Sequence, residues 1–213
     1  VYPLGSEVKI LLFTFISFGL LGLLDDAKKT FAWVKKGFFG LRLRHKLILE
    51  IVLACIVGFW LVHDLKISIL HIPLLGVFHL GWWYIPFAVF VIIAFANAFN
   101  ITDGLDGLSA GVLVIALFAF WFLSASILDT VLSIFIALWI GGMLAFLYFN
   151  VLPSRIFLGD VGALSFGATF AVVGLILGKT PALVIIGGIF VLEVTSSLIQ
   201  LVAKSLTGRK LFM

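Results

Sequence analysis

The feature of this sequence that most restricts its fold is a series of apolar runs, each about long enough to cross a lipid bilayer as a helix. Hydrophobic residues make up 63% of the 213 residues and charged residues only 11%. A soluble domain of this composition would expose far too much apolar surface, so an integral membrane protein is predicted. The runs are unbroken and do not alternate with a period of two, which favours helices over a β-barrel.

These runs predict an all-α integral membrane protein, a polytopic bundle of about seven transmembrane helices. We expect one transmembrane catalytic domain over residues 1–213. The predicted spans are residues 7–24, 47–62, 82–100, 108–128, 131–149, 163–177 and 181–203.

Basic residues are distributed unequally between the two ends of the predicted helices. When the spans alternate in direction, eleven of the 14 Lys and Arg residues fall on one side, and only Lys9, Lys66 and Lys179 fall on the other. The positive-inside rule makes the first side cytoplasmic. On the opposite side, residues 64–81 contain two short strand-like runs, which predict a β-hairpin on the outer face.

Carboxylates and amides lie at the ends of several apolar runs. Because a charge next to hydrocarbon is costly, such residues indicate a functional site. The alternation of spans puts all of these ends in the cytoplasm, so three separate loops are expected to converge. Asp103 and Asp106 are so close in sequence that they would repel each other without a cation or a shared proton. The polar residues concerned are Asp25, Asp26, Asn97, Asn100, Asp103, Asp106 and Asp160.

This pattern is typical of phosphoryl transfer with a bound divalent cation. Mg²⁺ prefers oxygen ligands, usually one or two carboxylates together with water and substrate phosphates. Positioning and charge neutralisation supply most of the catalysis in such reactions, so a few aspartates and one cation suffice. The basic loop over residues 28–46 adds attraction for anionic substrates and for lipid head groups.

Simpler interpretations of the same residues stay open at this point. Asp25 and Asp26 are consistent with a helix that ends in the headgroup region. Asp160 is consistent with an N-cap of the helix that follows it. Carboxylates that line a transporter pathway are a further alternative, although such sites usually lie near the bilayer midplane and not at helix ends.

Three ordered motifs resemble the signatures of the polyprenyl-phosphate N-acetylhexosamine-1-phosphate transferases. They are Leu24-Asp25-Asp26 with Lys29, the segment NAFNITDGLDGL at residues 97–108, and Asn150 followed by FLGDVG at residues 157–162. The resemblance covers essentially the whole chain. It implies transfer of phospho-MurNAc-pentapeptide from UDP-MurNAc-pentapeptide to undecaprenyl phosphate. Lipid I and UMP would form on the cytoplasmic face of a bacterial inner membrane, with Mg²⁺ as cofactor and Mn²⁺ as its alternative.

The resemblance also implies roles for individual residues. Asp25 and Asp26 would be catalytic, activating the lipid phosphate or helping to bind the metal and phosphates, and Asp103 would act at the diphosphate site. Asp160 would be the principal metal ligand. The implied substrate-binding residues are Lys29 for phosphate, Asn100 for the diphosphate, Gly104, Leu105, Asp106 and Phe157 for the uridine, and Asn150 in support of the metal site.

Further expectations follow from the same resemblance. The family has about ten spans of bilayer-crossing length and a histidine-rich motif beyond the stretch that matches residues 206–213, so this sequence is expected to be truncated at both ends. A related enzyme that uses UDP-GlcNAc is the closest alternative. Membrane lipids are expected partners, a homodimer is an option for assembly, and no nucleic-acid partner is expected.

Overall fold

The computed structural model describes residues 5–34, 43–72, 75–127 and 129–207. These residues form a bundle of helices with one two-stranded sheet, which confirms the predicted all-α membrane architecture. A short 3₁₀ turn, Gly81–Trp83, precedes the third helix. The helices are α1 (Ser6–Val34), α2 (Leu43–His63), α3 (Tyr84–Thr102), α4 (Leu108–Ser126), α5 (Thr130–Asn150), α6 (Gly159–Ile176), α7 (Thr180–Ile186) and α8 (Gly188–Thr207), and the strands are β1 (Ile69–Ile72) and β2 (Gly76–His79).

Within the described residues, six helices are long and apolar enough to span a membrane. The seventh predicted span, residues 181–203, is wrong as a continuous helix, because α7 and α8 meet at an angle of 78°. The break falls at Gly187, and a glycine pair at 187–188 favours it because glycine is a poor helix former. A side chain at Gly187 would also collide with the ring of Phe95 on α3, at 2.6 Å from a built Cβ.

The first helix continues well past the predicted end of its span at residue 24. Beyond the apolar run, Ala27, Lys28 and Lys29 are good helix formers, and α1 continues to Val34. Asp25 and Lys29 therefore lie one turn apart on the same face of a helix and not in a flexible loop.

Helix α6 is the centre of the bundle and packs against both α1 and α3. Of the span formed by α6, 67% is buried inside the protein, against 44% or less for the other spans. Small residues permit this position because they allow helix backbones to approach closely in a membrane. Gly167 is an example, since a Cβ built there lies 2.6 Å from the carbonyl oxygen of Phe95.

Helices α1 and α6 approach each other closely at Gly22. A Cβ built on Gly22 would lie 2.2 Å from the carbonyl oxygen of Asp160, a separation that no side chain tolerates. The first turn of α6 therefore lies directly against the α1 backbone, one turn from Asp25. This contact places the acidic residues of the two helices side by side.

The predicted β-hairpin is confirmed, whereas its place on the outer face stays a prediction. Strands β1 and β2 pair antiparallel, with Ile69 opposite His79 and Ile72 opposite Gly76. Trp82 and Trp83 follow the hairpin and are exposed, as expected for aromatic side chains in an interfacial belt.

Replacing Gly22 with alanine is expected to destabilise the protein by about 1–3 kcal/mol, because a methyl group forces α1 away from α6. Gly19→Ala is the matched control on the same helix, since its nearest neighbour, Cβ of Ser165, lies 3.6 Å away at ordinary contact distance. Thermal unfolding in detergent compares the two variants. Equal melting temperatures would show that the helices are not in close contact at Gly22.

Candidate functional site

Two lysines bridge two aspartates that come from opposite parts of the chain. The Lys46 ammonium lies 2.8 Å from Oδ2 of Asp160 and 3.4 Å from Oδ2 of Asp25. The Lys29 ammonium lies 2.9 Å from the same oxygen of Asp160 and 3.2 Å from Oδ2 of Asp25. Lys29 is also 3.6 Å from Oδ1 of Asp26. We call these five residues the charged cluster.

Three helices position the charged cluster. Asp25, Asp26 and Lys29 come from α1, Lys46 from the first turn of α2, and Asp160 from the first turn of α6. The side chains of Asp25 and Lys46 are only 5% and 10% exposed, whereas that of Lys29 is 48% exposed. The cluster therefore has a buried side formed by Asp25 and Lys46 and an accessible side formed by Lys29.

From the sequence, Lys46 was one of several basic residues in the loop over residues 28–46, which indicates membrane orientation and attracts anionic substrates, and it was not predicted to contact the aspartates. Its participation follows from the packing of α2 on α1, which brings its ammonium to a pair of acids at distant positions of the chain. The available signal was its place in the first turn of an apolar helix, where a long side chain can bury its stem and keep its charge at the membrane boundary.

Asp26 binds the start of α6. Its Oδ2 accepts a hydrogen bond of 3.2 Å from the backbone N–H of Val161, one of the donors that the first turn of a helix leaves unpaired. Gly159 enters this turn with φ +62°, and a built Cβ there would lie 2.8 Å from Oδ2 of Asp26. The N-cap interpretation of Asp160 is wrong, because the residue at the N-cap is Leu158 and Asp160 points its carboxylate at the lysines. A carboxylate from α1 thus performs the capping.

Asp103 lies beside the charged cluster, directly after α3. Its Oδ1 accepts a short hydrogen bond from the Ser109 hydroxyl of α4. Partial burial raises the pKa of Asp103, the hydrogen bond from Ser109 opposes that shift, and the negative charge of Asp160 adds to it. Asn100 lies one turn earlier on α3 and is half-buried. Among the described residues its side chain makes no hydrogen bond, so its amide is free to bind a ligand.

The loop after α3 and the loop after α5 are fastened to each other. Oδ1 of the buried Asn150 accepts from the N–H of Gly107, and its Nδ2 donates to the carbonyl oxygen of Ile156. Oδ2 of Asp106 accepts from the N–H of Ser154 at 3.1 Å. Asn150 thus holds both loops in place.

Exposed side chains border these two loops. Leu105 is 69% exposed and Phe157 is 72% exposed, and Gly104 and Asp106 are exposed with them. Since Asp106 and Phe157 stand on loops that Asn150 fixes to each other, an aromatic face and a carboxylate are presented from neighbouring segments.

Every residue expected at the site thus lies at the same end of the bundle, in two groups. Asp25, Asp26, Lys29 and Asp160 belong to the charged cluster, and the two loops that Asn150 fastens carry the residues expected at the uridine. Asp103 lies between the groups, because it interacts electrostatically with Asp160 and follows the same helix as Asn100.

The oxygen donors at this end suit a hard divalent cation. The part of the chain that the structure describes contains no group of three or more His, Cys, Asp or Glu residues arranged to hold a metal alone. Mg²⁺ characteristically needs only one or two carboxylates and completes its shell with water and substrate phosphate. Asp25 and Asp160, whose Oδ2 atoms share the same two ammonium groups, fit that requirement.

Comparison with known proteins gives two findings. The sequence model of a family described as Glycosyl transferase family 4 matches residues 8–178. The chain is also 38% identical, over 212 residues, to proteins named phospho-N-acetylmuramoyl-pentapeptide-transferase from Bacillus thuringiensis (strain Al Hakam) and Bacillus cereus (strain AH187). Each alignment covers 98% of this chain and 64% of the relative, so the chain spans less than two thirds of the length of these curated relatives.

Lys46→Met is expected to lower the free energy of unfolding by about 1–3 kcal/mol, because two mostly buried carboxylates each lose one partner and keep Lys29 as the other. Lys28→Met is the control, since Lys28 is exposed on α1 and outside the cluster. Thermal unfolding measures both variants. In a Lys46→Met/Asp160→Asn double variant, the loss of unfolding free energy should be smaller than the sum of the losses in the two single variants. Full additivity would contradict the pairing of Lys46 with Asp160.

Proposed function

The chain belongs to glycosyl transferase family 4, and from this premise we propose that it transfers a sugar-1-phosphate from a UDP carrier to a polyprenyl phosphate. The donor is UDP-MurNAc-pentapeptide, the acceptor is undecaprenyl phosphate, and the products are lipid I and UMP. The names and identities of the similar proteins support this choice of substrates. The site would face the cytoplasm of a bacterial cell, as the excess of basic residues on that side indicates.

The charged cluster is the observation that carries this proposal. Lys29 and Lys46 already bind carboxylate oxygens at 2.8–3.4 Å, and the same ammonium groups can bind phosphate oxygens. Lys29 is the accessible member and would receive the entering phosphate, while Lys46 would neutralise charge from the buried side. When bound to Asp160, a divalent cation would supply further charge neutralisation at the diphosphate.

The fastened loops suit the uridine of the donor. A uracil ring needs a flat apolar contact and a polar group at its edge. Phe157 offers the first and Asp106 the second. One carboxylate oxygen of Asp106 binds Ser154, and the other remains able to accept from the uracil N–H.

An apolar groove suits the chain of the lipid acceptor. It encloses about 460 Å³ between α3, α7 and α8, and its lining includes Phe90, Asn97, Leu183, Thr195 and Leu198. Asn97 lies one turn before Asn100 on α3, so the groove extends toward the acidic end of the bundle. A polyprenyl chain seated there could present its phosphate at the membrane boundary.

The proposed step exchanges one phosphorus–oxygen bond for another. An oxygen of the lipid phosphate attacks the phosphorus that carries the sugar and forms a new bond to it. The bond from that phosphorus to the UMP oxygen breaks, and UMP leaves with the electron pair. Asn100 and Asp103 would orient the diphosphate, while Lys29 and Lys46 bind the negative charge that the two phosphates bring together.

We expect membranes containing the protein to release UMP and form a lipid-linked product when given UDP-MurNAc-pentapeptide, undecaprenyl phosphate and Mg²⁺. Asp160→Asn should lower turnover by at least about a hundredfold, since it removes the negative charge that both Lys29 and Lys46 contact. Asp64→Asn is the control, because Asp64 pairs with His63 beyond the other end of α2. Release of UMP from UDP-GlcNAc but not from UDP-MurNAc-pentapeptide would contradict the proposed donor.

Phe157→Ala is expected to raise the apparent KM for the UDP-sugar by about tenfold, the loss of one aromatic stacking contact. The apparent KM for undecaprenyl phosphate should change little, because the Phe157 ring stands on the loop proposed to bind the uridine and not in the groove proposed for the lipid. Phe149→Ala, at an exposed position on the preceding helix, is the matched control. Equal losses for both substrates would indicate a general disturbance of the loop and contradict the uridine assignment.

A further inference from the structure

A buried acid on α2 lies outside the residues assigned so far. Glu50 is 1% exposed and follows Lys46 by one helical turn. Residues four apart on a helix lie on the same face, so Glu50 stands behind Lys46 on the side directed into the bundle. An ionisable group inside a membrane span is costly to keep and is by default a functional-site hypothesis.

The two carboxylate oxygens of Glu50 have different surroundings. Its Oε2 accepts a hydrogen bond of 2.7 Å from Nδ2 of Asn97 on α3, which also donates to the carbonyl oxygen of Ile93. Its Oε1 is buried and has no hydrogen-bond partner within the described part of the chain. Leaving a buried polar atom unpaired costs free energy, so the site keeps this carboxylate at the expense of stability.

The charges around Glu50 identify the group on which it acts. Its carboxylate interacts electrostatically with Lys46, Asp25 and Asp160. The first of these interactions is attractive and the other two are repulsive. Among the charged groups of the described residues that interact with Glu50, Lys46 is the cation, and its ammonium in turn contacts both aspartates.

We propose that Glu50 is a positioning residue for the proposed phospho-sugar transfer, holding the ammonium of Lys46 on the buried side of the charged cluster. Its carboxylate attracts Lys46 from behind, and its hydrogen bond with Asn97 ties α2 to the helix that carries Asn100. Burial keeps Glu50 away from substrate, so it acts through Lys46. The expected effect on catalysis rests on the proposed function, whereas the effect of Glu50 on the position of Lys46 does not.

Chemical labelling of the lysines tests that position without any substrate. The protein is treated with formaldehyde and a mild reductant, and methylation of Lys46 relative to Lys29 is read by mass spectrometry. In the native protein Lys46 should react slowly, because its side chain is 10% exposed against 48% for Lys29. Glu50→Gln keeps the shape of the side chain and an acceptor for Asn97 but removes the charge. It should raise the Lys46 to Lys29 ratio by about threefold or more.

Two variants serve as comparisons. Glu50→Asp keeps the charge near Lys46 and should leave the labelling ratio closer to native than Glu50→Gln does. Cys55→Ser changes an exposed position on the same helix and should leave the ratio unaltered. In the transferase assay, Glu50→Gln should lower kcat by about tenfold, the lower end of the loss seen when a residue that orients a directly acting group is removed. The KM for the UDP-sugar should change less.

The labelling result decides the inference. An unchanged ratio in Glu50→Gln, or an equal rise of labelling at both lysines, would overturn it, because the charge of Glu50 would then not hold Lys46. A risen ratio with unchanged kcat would also overturn the positioning role in catalysis. If the native protein transfers no phospho-sugar at all, the proposed function fails, and the labelling ratio still reports whether Glu50 positions Lys46.

Discussion

The close contact between α1 and α6 at Gly22 is the constraint on which the site depends. Because no side chain fits between Gly22 and the carbonyl of Asp160, the two helix backbones meet at the membrane boundary. Asp25 then lies next to Asp160, and Asp26 reaches the unpaired N–H of Val161. A membrane supplies little hydrophobic force between helices, so such small-residue contacts decide which helices become neighbours.

Bringing three carboxylates together would be prohibitive without cations, and the chain supplies two of its own. Lys29 and Lys46 each contact Asp25 and Asp160, so every buried charge of the cluster has a partner of opposite sign. Breaking such a network is costly, but the network itself contributes little net stability. Its value is chemical, because ammonium groups held at fixed positions can bind the phosphates of a substrate without reorganisation.

The two parts of the site are built differently, and their construction matches their proposed tasks. The charged cluster stands on helices, which hold charges precisely. The residues proposed for the nucleotide stand on loops, which present exposed groups such as Phe157 to a ligand. The buried amide of Asn150 compensates for the mobility expected of loops, since it binds both of them at once. Substrate recognition and charge placement are therefore separate but adjacent.

The sequence by itself determined the membrane-spanning helices, the β-hairpin and the acidic end of the bundle, because hydropathy and charge are local and additive along the chain. It also identified the motif residues that the structure brings to one end. Only the tertiary structure decided that Lys46 joins Asp160, 114 positions away, and that Asn97 on α3 binds Glu50 on α2. It also decided that the last span breaks at Gly187. These features depend on which helix faces pack together, and small-residue contacts between distant segments set that packing without leaving a periodic signal in the sequence.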